Sequence, residues 1–277
     1  MPMDPLVIEA GRTEAHYWRD LWHYRDLFYF LAWRDLLVRY KQTIFGVLWA
    51  VVRPLVTMLI LVVIFGSVAG LPSDGVPYPI LVLGGMLPWQ FFSSALSESS
   101  SSLVTNANLI TKIYFPRIIL PASAVIVAAV DFAITLALLA VVMAWYAYVP
   151  PLRILALPVF AVLALATAFG PGLLATALNV KYRDFRFVIP FLVQFGLYVS
   201  PIGFKSGVIG EKLGAVAALA YALNPMVGVI DGFRWCIGAE SSFPWVSCSL
   251  AVAVTAGLLW LGIRVFRGME RSFADVV

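Results

Sequence analysis

Six apolar stretches, most of them as long as a bilayer is thick, divide this chain and leave little from which to build a water-soluble core. A helix needs about 20 apolar residues to cross a hydrocarbon layer roughly 30 Å thick. By that measure spans are expected at 44–70, 79–105, 118–148, 154–178, 187–204 and 245–266. Arg53-Pro54 lies inside the first, the second turns serine-rich in its later half, the fifth is short, and the sixth follows Pro244. Lipid offers no partner to a backbone N–H or C=O, so such stretches must be helices that satisfy their own hydrogen bonds. The expected fold is an all-α polytopic membrane protein with six transmembrane helices in a single transmembrane domain over 1–277. Composition agrees: only 12% of residues are charged, against about 25% in a soluble domain. No cleavable signal peptide is expected, since the first long apolar run begins at Ile44, after more than forty residues of charged segment. No period of 20 to 50 residues repeats, and no inverted-repeat symmetry is visible.

Basic residues set the orientation, because short loops rich in Lys and Arg stay cytoplasmic. With the N-terminus inside, fourteen basic residues fall on the cytoplasmic side and four outside (Arg153, Lys205, Lys212 and Arg234), with Arg53 left in the first span. Both termini are therefore expected inside, with 1–43 and the tail 267–277 cytoplasmic. The net charge of +4 is modest and scattered, which argues against nucleic acid as a partner.

Two regions outside the spans carry structure of their own. In 17–40, Trp18, Leu21, Trp22, Phe28, Ala32, Trp33, Leu36, Leu37 and Tyr40 recur at spacings of three and four, which predicts an amphipathic helix. Its Trp and Tyr suit the headgroup level, so it is expected to lie along the cytoplasmic membrane surface, with Asp35 and Arg39 as an i,i+4 ion pair. A soluble helix packed on a partner is the other reading. His16 and His23 read as surface histidines. The second region, 205–244, is too apolar for a free loop and too interrupted for a span. Pieces at 207–222 and 225–237 predict two short re-entrant or interfacial helices between spans five and six, the second opened by Asn224-Pro225 as cap and first helical proline.

Catalytic chemistry is missing from the pattern. Phosphate-loop, HExxH, CxxC and nucleophile-elbow motifs are all absent, and no acidic pair lies close in sequence at a membrane face, so no catalytic residue, metal site or bound cofactor is expected. Cys236 and Cys248 read as buried free thiols. Two carboxylates lie within spans, where a charge costs on the order of 2.5 to 3.5 kcal/mol unless it faces protein or water. Glu98 sits on a polar line with Ser94, Ser97, Ser101, Ser102 and Thr105. That line either borders an aqueous path or bonds a neighbouring helix. Asp131 has no polar continuation and reads as interhelical. Trp89, Phe91 and Phe92 are aromatics of a kind that, in a membrane helix, more often contact lipid. The segment 106–117 mixes Leu109, Ile110, Ile113, Tyr114 and Phe115 with Thr111, Lys112 and Arg117, and Pro116 should end its helix; it suits docking into a protein groove.

Several strings, taken together, resemble ABC-2 type permeases that export polysaccharide. These are Tyr40-Lys41-Gln42-Thr43-Ile44-Phe45-Gly46-Val47-Leu48-Trp49 with Arg53-Pro54-Leu55; Leu87-Pro88-Trp89-Gln90-Phe91-Phe92; and Asn108-Leu109-Ile110-Thr111-Lys112-Ile113-Tyr114-Phe115-Pro116-Arg117. Further on come Lys181-Tyr182-Arg183-Asp184-Phe185, Tyr198-Val199-Ser200-Pro201-Ile202, Leu223-Asn224-Pro225 with Gly232-Phe233-Arg234, and Glu270-Arg271-Ser272-Phe273-Ala274-Asp275. The resemblance implies a homodimer in the bacterial inner membrane, joined to two ABC ATPase subunits that bind the ATP and Mg²⁺, with no enzyme activity in this chain. It implies an undecaprenyl-diphosphate-linked glycan, O-antigen foremost, as substrate. Leu109, Thr111, Lys112, Tyr114, Phe115, Pro116 and Arg117 would then couple to the ATPase. Trp89, Phe91, Phe92, Ser94, Ser97, Glu98 and Ser101 would line the path, and Asn224, Pro225, Asp231 and Arg234 would belong to an outer gate. Exporters of a small lipid or drug, and carriers or flippases outside the ABC class, are the competing readings.

Overall fold

The computed structural model describes residues 17–41, 46–70, 73, 75–182, 184–270 and 273. Arg12, His16, residues 42–45 of the first string, Asp74, Arg183 and the tail residues Arg271, Ser272, Ala274 and Asp275 lie outside them. No strand occurs among the described residues. Tyr17–His23 (α1) and Arg25–Lys41 (α2) lead to Gly46–Leu61 (α3), which continues as a π-helical stretch over Val62–Val68. Tyr78–Thr105 (α4), the short Ala107–Ile110 (α5) and Ile119–Trp145 (α6) follow. A 3₁₀ turn at Leu152–Ala156 opens Leu157–Lys181 (α7). Phe185–Val199 (α8), Gly207–Leu213 (α9), Ala215–Ala222 (α10), Pro225–Ile237 (α11) and Trp245–Met269 (α12) complete the order.

The chain is thus the all-helical multi-pass membrane protein its apolar runs demand. Among the described residues, five helices are long and apolar enough to cross: Leu48–Val68, Tyr78–Thr105, Ile119–Trp145, Leu152–Lys181 and Trp245–Met269. Counting α10 and α11 as one span bent by 95° makes six. The fifth expected span is where the two counts part. Its helix, α8, stops after 15 residues, about 22 Å at 1.5 Å per residue. Ser200 is extended (φ −95°, ψ 147°), the conformation that a following proline imposes, and Pro201 cannot continue the helix. The expected piece 207–222 is divided at Gly214, whose φ of +86° suits glycine alone. The predicted surface helix is two helices meeting at Tyr24. It buries Leu31 and Ala32, while Trp22, Tyr29, Phe30 and Trp33 stay exposed.

Helix α4 is the centre of the bundle, and from Pro79 to Trp89 every residue on it is buried. Without a hydrophobic drive in lipid, such packing depends on close contact and interhelical bonds. A Cβ on Gly262 of α12 would come within 2.2 Å of the Gly170 carbonyl oxygen of α7, so these helices touch backbone to backbone. Buried hydroxyls and amides tie the layers: Thr176 Oγ1 donates to the Ser99 carbonyl at 2.8 Å and Asn179 Nδ2 to that of Ser100 at 2.9 Å. Two of the seven α4 serines, Ser99 and Ser100, are therefore tied to α7. Cys236 and Cys248 are buried free thiols, as expected.

Candidate functional site

Three places on this scaffold gather the residues singled out by sequence. At one end of the bundle, α5 and the turn after it form the segment 106–117. Ile110, Phe115 and Pro116 are buried beneath it, and Thr111, Lys112, Ile113 and Tyr114 stand exposed, with Leu109 and Arg117 half-buried. Phe115 and Ile110 belong to one apolar cluster with Tyr17, Leu31, Phe266 and Phe273. The segment thus has an anchored side and a presented side. The presented side is short and mixes apolar with basic side chains.

Deeper, the polar line on α4 meets α2. Arg39 donates one guanidinium nitrogen to Glu98 and holds Asp131 of α6 with the other at 2.5 Å; the Tyr40 hydroxyl also donates to Asp131. Arg34 pairs with Asp35 at 2.7 Å. The i,i+4 expectation for Asp35 and Arg39 is displaced by these partners: Arg39 reaches the carboxylates of α4 and α6, and Asp35 takes the neighbouring Arg34 instead. Ser94, Ser97 and Glu98 are half-buried and Ser101 is exposed. Trp89 and Phe91 are core residues: Trp89 packs on Gly196 of α8, and Phe91 stacks on Phe132 at 4.9 Å between centroids. Phe92 is half-buried beside Trp89.

At the opposite end, Asn224 caps α11 as expected, its Oδ1 accepting from the Met226 amide at 3.1 Å with Pro225 at the first helical position. Asp231 and Arg234 turn away from each other and from the surface. Asp231 accepts from Ser206 and Ser247 hydroxyls, both at 2.9 Å. Arg234, with no exposed surface, donates to the carbonyls of Ile202 at 2.8 Å and Phe204 at 2.5 Å. Both are buried in this arrangement, and they staple α11 to the turn after α8 and to α12. The freer part is the α9–α10 pair, where Leu213, Val216 and Leu219 are exposed.

A further surface escaped the sequence reading. Phe187, Phe191, Phe195 and Tyr198 of α8 are exposed at spacings of four, four and three, with Gln194 among them. Phe191, Gln194, Phe195 and Tyr198 surround a shallow open hollow. The spacing was legible, but inside a fully apolar run an aromatic line does not stand out from ordinary lipid contact.

An all-helical bundle with helices long enough to span a bilayer, an exposed segment at one end and an exposed aromatic helix has the architecture of a multi-pass membrane protein. The family model for ABC-2 type transporters matches residues 26–237, and the chain belongs to that family. It is the transmembrane subunit of such a transporter, the part without the ATPase domain. Its relatives cover it almost end to end. It is 28% identical to the O-antigen export system permease protein RfbA of Myxococcus xanthus, over 94% of this chain and 98% of that one. Against an RfbA of Klebsiella pneumoniae the identity is 27%, over 91% and 95%. Against the polysialic acid transport protein KpsM of Escherichia coli it is 24%, over 86% and 92%.

Proposed function

We propose that this chain is the permease half of an ATP-driven exporter that moves a lipid-linked polysaccharide, O-antigen foremost, across the bacterial inner membrane. Two copies form the pathway, and two ABC ATPase subunits bind the ATP and Mg²⁺ and dock on the exposed face of 106–117. The observation that carries the reading is the aromatic face of α8. Gln194 makes that face a poor lipid contact, because a primary amide in hydrocarbon leaves its hydrogen-bonding groups unmet. Rings on a helix surface offer flat apolar planes to the C–H faces of sugars, and their order along the axis lets successive residues of a polymer pass without a specific site. The half-exposed Ser94, Ser97 and Ser101, with Glu98 between them, continue this path toward the cytoplasm. Export of a polymer already linked to its lipid needs grip and release, which suits a helix too short to span by itself.

Replacing Phe195 and Tyr198 together by Ala removes two exposed rings without opening the core. Export measured as surface glycan should fall about tenfold, equivalent to about 1.4 kcal/mol, at an unchanged membrane level. Undiminished export would place that face against lipid.

Both chain ends lie in the cytoplasm in this reading, which the basic asymmetry supports. Single cysteines at Arg153 and Glu211 should react with an impermeant thiol reagent from outside, and one at Lys112 only after permeabilisation. Labelling of Lys112→Cys in intact cells would reverse the orientation.

A further inference from the structure

The two ends of the segment 106–117 are held by the two ends of the described chain. At its start, Arg34 of α2 donates to Asn106 Oδ1 at 2.8 Å, and the Asn106 side-chain amide donates back to the Ser102 carbonyl at 2.9 Å. At its close, the Arg117 amide donates to Glu270 Oε1 at 2.7 Å, and the Arg117 guanidinium to the Glu270 carbonyl. Glu270 immediately follows α12. Tyr17 of α1 is buried beside it, with the Arg267 guanidinium 4.6 Å over the Tyr17 ring. Burial pushes the Glu270 carboxyl above its ordinary value, while the bond from the Arg117 amide pulls it back.

These contacts matter because of what the chain alone connects. Helices α4 and α6 are joined to the segment covalently and must follow it. Helices α2 and α12 are 72 and 153 residues away in sequence at these bonds, and a push on the exposed face reaches them only through side chains. A plug without abutments would bend under load and leave those helices behind. Charge-assisted bonds at both ends, over the buried cluster of Ile110 and Phe115, make it stiff. The geometry points to Glu270 and Arg34 as positioning residues that form a two-ended clamp, passing movement of the segment to α12 and α2. This rests on the reading of 106–117 as the ATPase-docking element.

The test is made on the full chain reconstituted with its partner ATPase, and separately on the permease alone with a spin label at Lys112→Cys. In the permease alone, Glu270→Ala should raise label mobility, whatever the segment docks against. In the complex it should lower glycan transport about tenfold relative to ATP hydrolysis, a typical coupling magnitude. Glu270→Gln keeps an oxygen that accepts from the Arg117 amide and should restore most of the ratio. Arg34→Ala acts from the other end and serves should Glu270→Ala fail to accumulate. Unchanged label mobility in both alanine variants overturns the clamp. Raised mobility with an unchanged ratio of transport to hydrolysis leaves the tether real but overturns its coupling role, without touching the docking reading. A parallel fall of both rates at unchanged mobility means a structural role alone and also overturns the proposal.

Discussion

Arg39→Ala is expected to be among the most damaging single changes where α2 meets α4 and α6. Arg39 is the cation that Glu98 and Asp131 share, and both carboxylates sit on helices that cross the membrane. Removing it leaves two anions close together with the Tyr40 hydroxyl as a remaining partner for Asp131. Breaking a buried pair costs about 3 to 5 kcal/mol, and the partial exposure of these side chains brings that to roughly 2 to 3 kcal/mol. In detergent the unfolding midpoint should drop by roughly 5 to 10 °C. Adding Glu98→Gln and Asp131→Asn to an Arg39→Met background should recover most of the loss, because the anions that needed the cation are gone. An unchanged midpoint in Arg39→Ala, or no recovery in the triple variant, would mean that the cluster does not hold α2 against α4 and α6.

The second large effect is expected at Arg234, whose guanidinium has no exposed surface and serves two carbonyls in the turn that ends α8. Arg234→Met fills a similar volume but strands the oxygens of Ile202 and Phe204, and leaves Asp231 as an uncompensated buried charge. A loss of about 3 kcal/mol or more is expected. Arg234→Lys should recover little, since an ammonium does not reproduce the planar fork that reaches both carbonyls. Adding Asp231→Asn to Arg234→Met should cost less than the sum of the two single changes, and a double-mutant cycle in urea or heat measures that coupling. Strict additivity would show that the two charges stabilise α11 independently.

The two clusters also mark where a sequence stops being legible. Local rules carried far: the cap at Asn224-Pro225 depends on two adjacent residues and lies where its chemistry puts it, and the apolar runs placed every long helix. Arg39 shows the limit. Its nearest carboxylate in sequence is Asp35, four residues back on the same helix, yet it reaches Glu98 and Asp131, 59 and 92 positions away. Nothing local records that two spans bring their acids to one point. Asp231 and Arg234 looked like neighbours on one helix face, but their partners come from the turn at Ile202–Ser206 and from Ser247. Trp89 and Phe91 carry the residue types of a sugar-stacking site and lie in the core, while the exposed rings of α8 carry no string that separates them from lipid-facing aromatics. Residue type tells what a side chain can bind; only packing tells which face of a crowded helix is left to bind it.

The most direct measurement is ATP hydrolysis by the chain reconstituted in liposomes with the ABC ATPase that co-purifies with it, with and without an undecaprenyl-diphosphate-linked glycan. Hydrolysis should rise severalfold with the lipid-linked glycan and stay near its basal rate with unlinked glycan, with undecaprenyl diphosphate alone or with a panel of apolar drugs. Stimulation by the drugs alone, or no ATPase in the purified complex, would contradict the account.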